Sequence, residues 1–157
     1  MKYLQIVLAL LVLTNSGYAA DDPGPKKPGP TDKCPVCGMF VAKYPDFVAC
    51  LVFKDGSQAF FDGVKDLMKY YFGLAKYNPA KKTADIAAIH LTDYYSLKLI
   101  DGRQAYYVVG SDVFGPMGRE LIPLAEETAA KEFLKDHNGK SILTFPEITK
   151  ALIGTLD

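Results

Sequence analysis

The stretch DGSQAFF at residues 55–61 returns as DGRQAYY at residues 101–107, and this repeat is the main indication of the fold. Four of the seven positions are identical, and an aromatic residue replaces an aromatic residue at two others. An Asp-Gly pair alone is typical of a tight turn between strands, but such a turn does not require the Gln-Ala-aromatic-aromatic sequence that follows it. We therefore predict two related β-hairpin units in this chain.

The first predicted unit consists of two strands and a helix. The apolar run at residues 47–53 (FVACLVF) and the short run at residues 58–61 have the composition of paired strands. Asp62 is a suitable N-cap for a helix that ends at Gly73. The apolar residues at i, i+3, i+4 and i+7 predict the buried face of this helix: Val64, Leu67, Met68 and Tyr71. Met68 is thus expected in the core.

The second predicted unit repeats this order. A strand at residues 86–91 leads to a hairpin that turns at Asp101-Gly102. A helix over residues 126–137 has acidic residues in its first turn and ends before Asn138-Gly139. A final strand and a short helix follow, at residues 141–145 and from Pro146.

The predicted fold class is α+β, in which two similar ββα-type units pack as one small domain. The half-units lie at about residues 34–85 and 86–157. Residues 20–33 are rich in Pro and Gly and are predicted to be a flexible linker before the folded domain at residues 34–157.

Charge and composition exclude several classes of function. The 157 residues include 18 Lys and Arg against 18 Asp and Glu, so the formal net charge is zero. A nucleic-acid-binding domain has a basic excess, so we expect no nucleic-acid partner. The chain is 49% hydrophobic and 12% aromatic, which is typical of a folded globular domain and not of a disordered chain.

The first residues have the pattern of a secretory signal peptide. Lys2 provides the positive charge, residues 4–13 form an apolar run, and small residues follow before Ala20. We expect cleavage after Ala19, which removes residues 1–19 and places the protein in the periplasm. No cysteine follows the apolar run at the cleavage point, so a lipoprotein anchor is not predicted.

The segment Cys34-Pro35-Val36-Cys37-Gly38-Met39 places two thiols and a thioether within six residues. Soft thiolate and thioether ligands select Cu(I) over harder divalent ions, and an exported protein encounters copper more readily than a cytosolic protein does. The segment is therefore a candidate Cu(I) site.

Three other interpretations of these cysteines remain open. A disulfide between Cys34 and Cys37 is expected in an oxidising compartment. A redox-active pair of the thioredoxin type is another possibility, although such motifs follow a strand and open a helix. The pair also resembles one half of a zinc knuckle, whose second half the sequence does not show. Cys50 lies in the middle of a predicted strand and is interpreted as a core residue.

Met117 is a second candidate ligand. It is enclosed by Gly115-Pro116 and Gly118 in a loop that neither helix nor strand periodicity explains, so its thioether is available to a ligand or fills the core under a turn. His90 alternates with apolar residues on a strand, and His137 lies at the end of a predicted helix, where a cation is favourable. Both histidines are interpreted as structural.

Several ordered motifs follow one another along residues 34–150. They are Cys37-Gly38-Met39, Asp93-Tyr94-Tyr95, AYYVVGS at residues 105–111, Gly115-Pro116-Met117-Gly118, Ile122-Pro123 and the stretch from Ala130 to Phe133. Together with the export signal, this order resembles the NosL family of nitrous oxide reductase accessory proteins.

The resemblance implies an exported Cu(I)-binding protein with two similar small α+β units. The Cys-Gly-Met motif of the family falls on Cys37 and Met39, and its Gly-x-Met-Gly motif falls on Met117. Cys34 is the fourth candidate ligand because of its spacing from Cys37. The implied partners are the apoprotein of nitrous oxide reductase or another copper acceptor, and other accessory proteins of the same assembly pathway.

No enzyme is predicted, because a base, a nucleophile and an orienting group do not cluster in the sequence and no phosphate-binding loop is present. The predicted function is a metallochaperone that helps to assemble the copper centres of nitrous oxide reductase. The alternatives are a periplasmic CxxC thiol-disulfide oxidoreductase and a binding module that zinc or a disulfide stabilises.

Overall fold

The computed structural model describes residues 24–157, so the predicted signal peptide at residues 1–19 lies outside the described part. Among the described residues, no helix has the length and apolar character needed to cross a membrane. The helices and strands are, in chain order, β1 (Ala49–Phe53), β2 (Gln58–Phe61), α1 (Val64–Phe72), α2 (Leu74–Tyr77), β3 (Ile86–Thr92), β4 (Leu99–Asp101), β5 (Tyr106–Gly115), β6 (Gly118–Leu124), α3 (Glu127–Asp136), β7 (Ser141–Thr144) and α4 (Lys150–Gly154).

The strands form two antiparallel sheets. Sheet 1 has the strand order β2-β1-β3-β4, and sheet 2 has the order β6-β5-β7. Helices pack against both sheets. The predicted α+β class is therefore confirmed.

The first predicted hairpin is confirmed. β1 and β2 pair antiparallel, with Ala49 opposite Phe61. Asp55 shapes the turn because its Oδ1 accepts a hydrogen bond from the N–H of Ser57 at 3.1 Å. Gly56 adopts a φ of 81°, a backbone conformation that residues with a Cβ rarely adopt.

The second predicted hairpin is wrong. Asp101 forms the same local turn as Asp55, since its Oδ1 accepts a hydrogen bond from the N–H of Arg103 at 2.9 Å. However, β4 before this turn pairs with β3 in sheet 1, whereas β5 after it is the central strand of sheet 2. The hairpin of the second half is formed by β5 and β6 and turns at Pro116-Met117.

A structural repeat does exist, with different boundaries. In each half a first strand pairs with the next strand, a helix follows, and a third strand returns to the other side of the first: β1-β2-α1-β3 and β5-β6-α3-β7. The pairing registers agree, because Ala49 lies between Phe61 and Leu91, and Tyr106 lies between Leu124 and Thr144. A boundary between the two halves at residue 86, as predicted from the sequence, separates β3 and β4 from β1 and β2. These four strands form sheet 1.

The main core lies between the two sheets, around α1. Leu67 and Met68 of α1 are fully buried there, as predicted for Met68, and Tyr107 of sheet 2 packs in the same cluster. Val108, the next residue along β5, packs with Phe133 of α3 in a smaller cluster. Because neighbouring residues of a strand face opposite sides of the sheet, α3 covers the face of sheet 2 that is turned away from α1.

The start of α1 differs from the prediction. The N-cap position is Gly63 and not Asp62, and no side chain of the N-cap residue closes the helix. Instead, Glu120 of β6 accepts hydrogen bonds from the N–H groups of Lys65 at 2.5 Å and Leu121 at 2.9 Å. A Cβ at Gly63 would overlap the Glu120 carboxylate, so glycine makes room for it. The second half thus caps the helix of the first half, and the side chain of Asp62 is available for other contacts.

The remaining elements follow the sequence closely. α1 ends at Phe72 with Gly73 as its C-cap, and α3 and β7 lie where they were predicted. Asn138 stops α3 with a φ of 53°, which lies in the left-handed region.

Candidate metal centre

The two predicted cysteine ligands lie in a short loop, here called the cysteine loop (residues 33–40). Lys33 and Phe40 form an isolated antiparallel bridge that closes the loop. Inside it, the N–H of Cys34 donates to the carbonyl of Met39, and the N–H of Gly38 donates to the carbonyl of Cys34, both at 2.9 Å. Gly38 has a φ of 80°, which permits the tight return after Cys37. The loop therefore holds both thiols on one hydrogen-bonded turn.

The thiols face two carboxylates at the start of α1. Asp62 and Asp66 are separated by about one helical turn, and their exposed fractions are 1% and 2%. The Cys34 Sγ donates to Asp66 Oδ2 at 3.3 Å, and the Cys37 Sγ donates to Asp62 Oδ1 at 3.2 Å. One ligand atom of each of these four residues lies within 4.8 Å of the others. We call this group the Cys-Asp cluster (Cys34, Cys37, Asp62 and Asp66).

Both thiols of the cluster are free, and the pKa of each is raised. Burial is the main cause that raises the pKa of Cys34 to about 11, and burial also raises the pKa of Cys37. Hydrogen bonds to the neighbouring carboxylates act in the same direction, because a carboxylate that accepts the S–H proton favours the thiol. A soft metal ion that binds here therefore has to displace these protons.

Positive charge lies next to the carboxylates. The Lys69 Nζ is 3.9 Å from Asp66 Oδ1. Lys65, between the two aspartates in sequence, is itself buried, and its ammonium group donates to the carbonyls of Met117 at 2.7 Å and Leu156 at 3.1 Å. These cations and the N-terminus of α1 offset part of the negative charge of the site.

Met117 lies at the tip of the β5–β6 hairpin, and its side chain is 44% exposed. Its backbone carbonyl is held by Lys65, so the tip is fixed beside the first turn of α1. Met39 is half-buried and belongs to the cysteine loop itself. The structure thus brings the two predicted thiols together, while the roles of Met39 and Met117 as ligands stay predictions.

The other sulfur and imidazole groups lie outside the cluster. Cys50 is buried, as predicted, but on the outer face of sheet 1, where it lines a cavity of about 320 Å³ beside residues 25–28 of the linker. His90 lies on β3 in register with Cys50. His137 caps the C-terminal end of α3, stacks on Phe133 and contacts Asp112 through its Nδ1 at 3.1 Å. The structural interpretation of His137 agrees with these contacts.

Sequence reasoning missed Asp62 as a partner of the cysteines, because it assigned that residue to the helix cap, and it did not consider Asp66. The sequence carried no signal for Asp66. At 3.6 residues per turn, position 66 lies on the side of the helix opposite the predicted apolar face, where a carboxylate is ordinary.

Known proteins resemble this chain in both sequence and structure. The sequence model of the family described as NosL matches residues 25–153. The chain belongs to the NosL family. The predicted resemblance is thereby confirmed.

Two NosL proteins illustrate the similarity. The copper-binding lipoprotein NosL of Stutzerimonas stutzeri is 31% identical over an alignment of 131 residues that covers 78% of this chain and 65% of that protein. The chain therefore spans less than two thirds of the length of this relative. The crystal structure of the copper chaperone NosL from Shewanella denitrificans matches with a TM-score of 0.67 and 25% identity, over 82% of this chain and 97% of that chain.

Proposed function

We propose that this protein is an exported Cu(I) metallochaperone that helps to assemble the copper centres of nitrous oxide reductase. The observation that carries this proposal is the convergence of the Cys34 and Cys37 thiols in a chain of the NosL family. One relative is named as copper-binding and another as a copper chaperone. Paired thiols supply the soft donor set that Cu(I) prefers.

The two thiols differ in exposure, and this difference suits metal transfer. Cys34 is 1% exposed, whereas Cys37 is only partly buried. In this proposal Cys34 anchors the ion, and a ligand of the acceptor approaches beside Cys37. The thioethers of Met39 and Met117 are the additional ligands. Ligands can then exchange one at a time, so that the ion is never released into solution.

The raised pKa values of the thiols favour this function over the oxidoreductase. Thiol-disulfide oxidoreductases attack with a thiolate whose pKa is lowered by its surroundings. Here burial raises the pKa of Cys34 to about 11 and raises that of Cys37 as well. The predicted absence of enzymatic activity is part of the same proposal.

The first experiment is an anaerobic titration of the reduced protein with Cu(I) against a competing chelator. We expect stoichiometric binding that weakens at least about tenfold, or about 1.4 kcal/mol, in Cys37→Ala and in Met117→Ala. Cys50→Ala is the matched control, since it removes a buried thiol outside the cluster. Equal affinity of wild type and Cys37→Ala would refute the proposal.

A second experiment tests the acceptor. The Cu(I)-loaded protein is mixed with copper-free nitrous oxide reductase, the two proteins are separated by size, and the copper in each is measured. We expect copper in the reductase, with faster transfer than from the same Cu(I) held by a small chelator. Copper that stays with the chaperone would argue for another acceptor.

N-terminal sequencing of the exported protein tests the predicted cleavage after Ala19.

A further inference from the structure

We infer that the Cys-Asp cluster is also a complete four-ligand site for a divalent ion of the Zn²⁺ class, in which Asp62 and Asp66 are ligands. This inference uses a ligand set different from that of the Cu(I) proposal and does not depend on it. The carboxylates supply the second half of the zinc knuckle that was missing from the sequence.

The hydrogen bonds of the two aspartates set them apart from the other buried acids among the described residues, Asp93 and Glu120. Asp93 accepts hydrogen bonds from the N–H and hydroxyl of Ser96, both at 2.7 Å, and from the N–H of Ala125 at 2.8 Å. Glu120 accepts from two backbone N–H groups. These two carboxylates have ordinary structural partners.

Asp62 and Asp66 lack such partners. Asp62 Oδ1 receives the weak S–H donor of Cys37, and Asp62 Oδ2 is buried without a hydrogen-bond partner within residues 24–157. Asp66 Oδ2 receives the S–H of Cys34, and the nearest cation, Lys69, is 3.9 Å from its other oxygen. Burying a carboxylate without good partners is costly, so the pair is poorly explained as a structural feature.

The geometry fits a tetrahedral ion. With metal–sulfur bonds of about 2.3 Å and metal–oxygen bonds of about 2.1 Å, the ligand atoms of such a site are about 3.4 to 3.8 Å apart. The two sulfur–oxygen distances of the cluster are 3.2 and 3.3 Å, and all four ligand atoms lie within 4.8 Å of one another. Small side-chain rotations therefore suffice to place them around one ion.

Charge decides which ion the full set accepts. Two thiolates and two carboxylates carry four negative charges, so a monovalent ion leaves one more charge uncompensated than a divalent ion does. Carboxylates are hard ligands, which Zn²⁺ accepts and Cu(I) does not favour. The same two thiols therefore serve both ions, with the aspartates as ligands only for the divalent one.

Cobalt(II) is a suitable probe, because a tetrahedral cobalt ion with thiolate ligands has strong visible ligand-field bands and a thiolate charge-transfer band. Reduced, metal-free protein is titrated anaerobically with Co²⁺, and the bound Co²⁺ is then displaced with Zn²⁺. We expect a tetrahedral spectrum at one ion per chain and its loss on addition of Zn²⁺. A six-coordinate spectrum without thiolate charge transfer would overturn the inference.

Variants separate the two ligand sets. We expect Asp62→Asn and Asp66→Asn each to weaken Co²⁺ and Zn²⁺ binding at least about tenfold and Cu(I) binding less than about threefold. Met117→Ala should do the reverse. Asp46→Asn, an exposed carboxylate outside the cluster, is the control, and urea unfolding of each variant verifies folding. Unchanged Co²⁺ affinity in both folded aspartate variants would refute the inference, whatever the outcome with Cu(I).

Discussion

The two ββαβ halves have the same topology, yet within residues 24–157 only the first carries a candidate metal site. The helices begin three residues after Phe61 and Leu124, which hold equivalent positions in the two hairpins. Counting from there, Leu67 corresponds to Ala130, and Tyr70 corresponds to Phe133; all four are buried. The equivalence therefore extends to the core.

The equivalence ends at the cluster. Asp62 and Asp66 correspond to Ala125 and Ala129, and the segment that leads into β5, residues 93–105, contains no cysteine. The first half thus has two carboxylates and a preceding cysteine loop that the second half lacks. The same fold unit becomes a site only where an additional segment packs on the start of its helix.

The second half has a different role. Its hairpin is longer, and it reaches back to α1, where Met117 and Glu120 contact the side chain and the backbone of Lys65. The helix that presents the aspartates is therefore fixed by residues of the other half. Four experiments test this division between the halves, and they follow in order of expected effect.

The largest effect is expected in the core of the second half. Phe133→Ala should lower the free energy of unfolding by about 3 to 5 kcal/mol, because Phe133 is fully buried against sheet 2. Cu(I) affinity should not change, since α3 packs on the face of sheet 2 turned away from α1. Urea unfolding and chelator competition measure the two quantities, with Phe133→Leu as the milder variant. A tenfold loss of Cu(I) affinity in folded protein would contradict the division.

The cap supplied across the halves should have the next largest effect. Glu120→Ala should be less stable than Glu120→Gln by about 2 to 3 kcal/mol, because alanine leaves the N–H groups of Lys65 and Leu121 buried without an acceptor. Urea unfolding at one pH gives the difference. For Glu126, the exposed residue that precedes α3, the same two variants should differ by less than about 0.5 kcal/mol. Equal stability of the two Glu120 variants would show that the cap is not needed.

The charge of Glu120 should also make stability depend on pH. Burial raises the pKa of this carboxyl from 4.5 to about 8, with Asp66 acting in the same direction and Lys65 against it. The folded state then keeps a proton that the unfolded state has lost, so stability falls as pH rises from about 5 to about 8, by at most about 1.4 kcal/mol per unit. Glu120→Gln should remove this fall. Parallel pH profiles of wild type and variant, measured by urea unfolding without metal, would contradict it.

The smallest effect is expected at Gly63. Gly63→Ala should cost about 1 kcal/mol, because the new Cβ has to displace the Glu120 carboxylate, whereas the φ of −178° suits any residue. The reverse change at the equivalent position, Glu126→Gly, should stay within about 0.5 kcal/mol. Thermal unfolding of both variants is the measurement. A larger cost at Glu126 than at Gly63 would show that the two helix starts are not distinguished by contact across the halves.

The repeat in the sequence illustrates which parts of the fold were predictable. Asp55 and Asp101 form the same side-chain turn, because this geometry depends only on neighbouring residues. The first turn joins two strands of one sheet, and the second connects two sheets. Strand pairing depends on residues distant in the chain, so the identical turns gave no information about it.

The site divides in the same way. The spacing of Cys34 and Cys37 predicts that their thiols lie close together, because only two residues of the same loop separate them. The partners of these thiols, Asp66 and Asp62, are 32 and 25 residues away along the chain. Asp62 also matched a local rule for helix caps, and this local interpretation proved wrong because Glu120 occupies that role.

The sequence by itself determined the α+β class, the elements of the first hairpin, the helices α1 and α3 and the family, since these depend on local periodicity, turn chemistry and short motifs. Only the tertiary structure decided the split into two sheets, the cap from Glu120 and the carboxylates opposite the thiols. Each of these rests on contacts between distant segments, which form because burial of the common core brings those segments together.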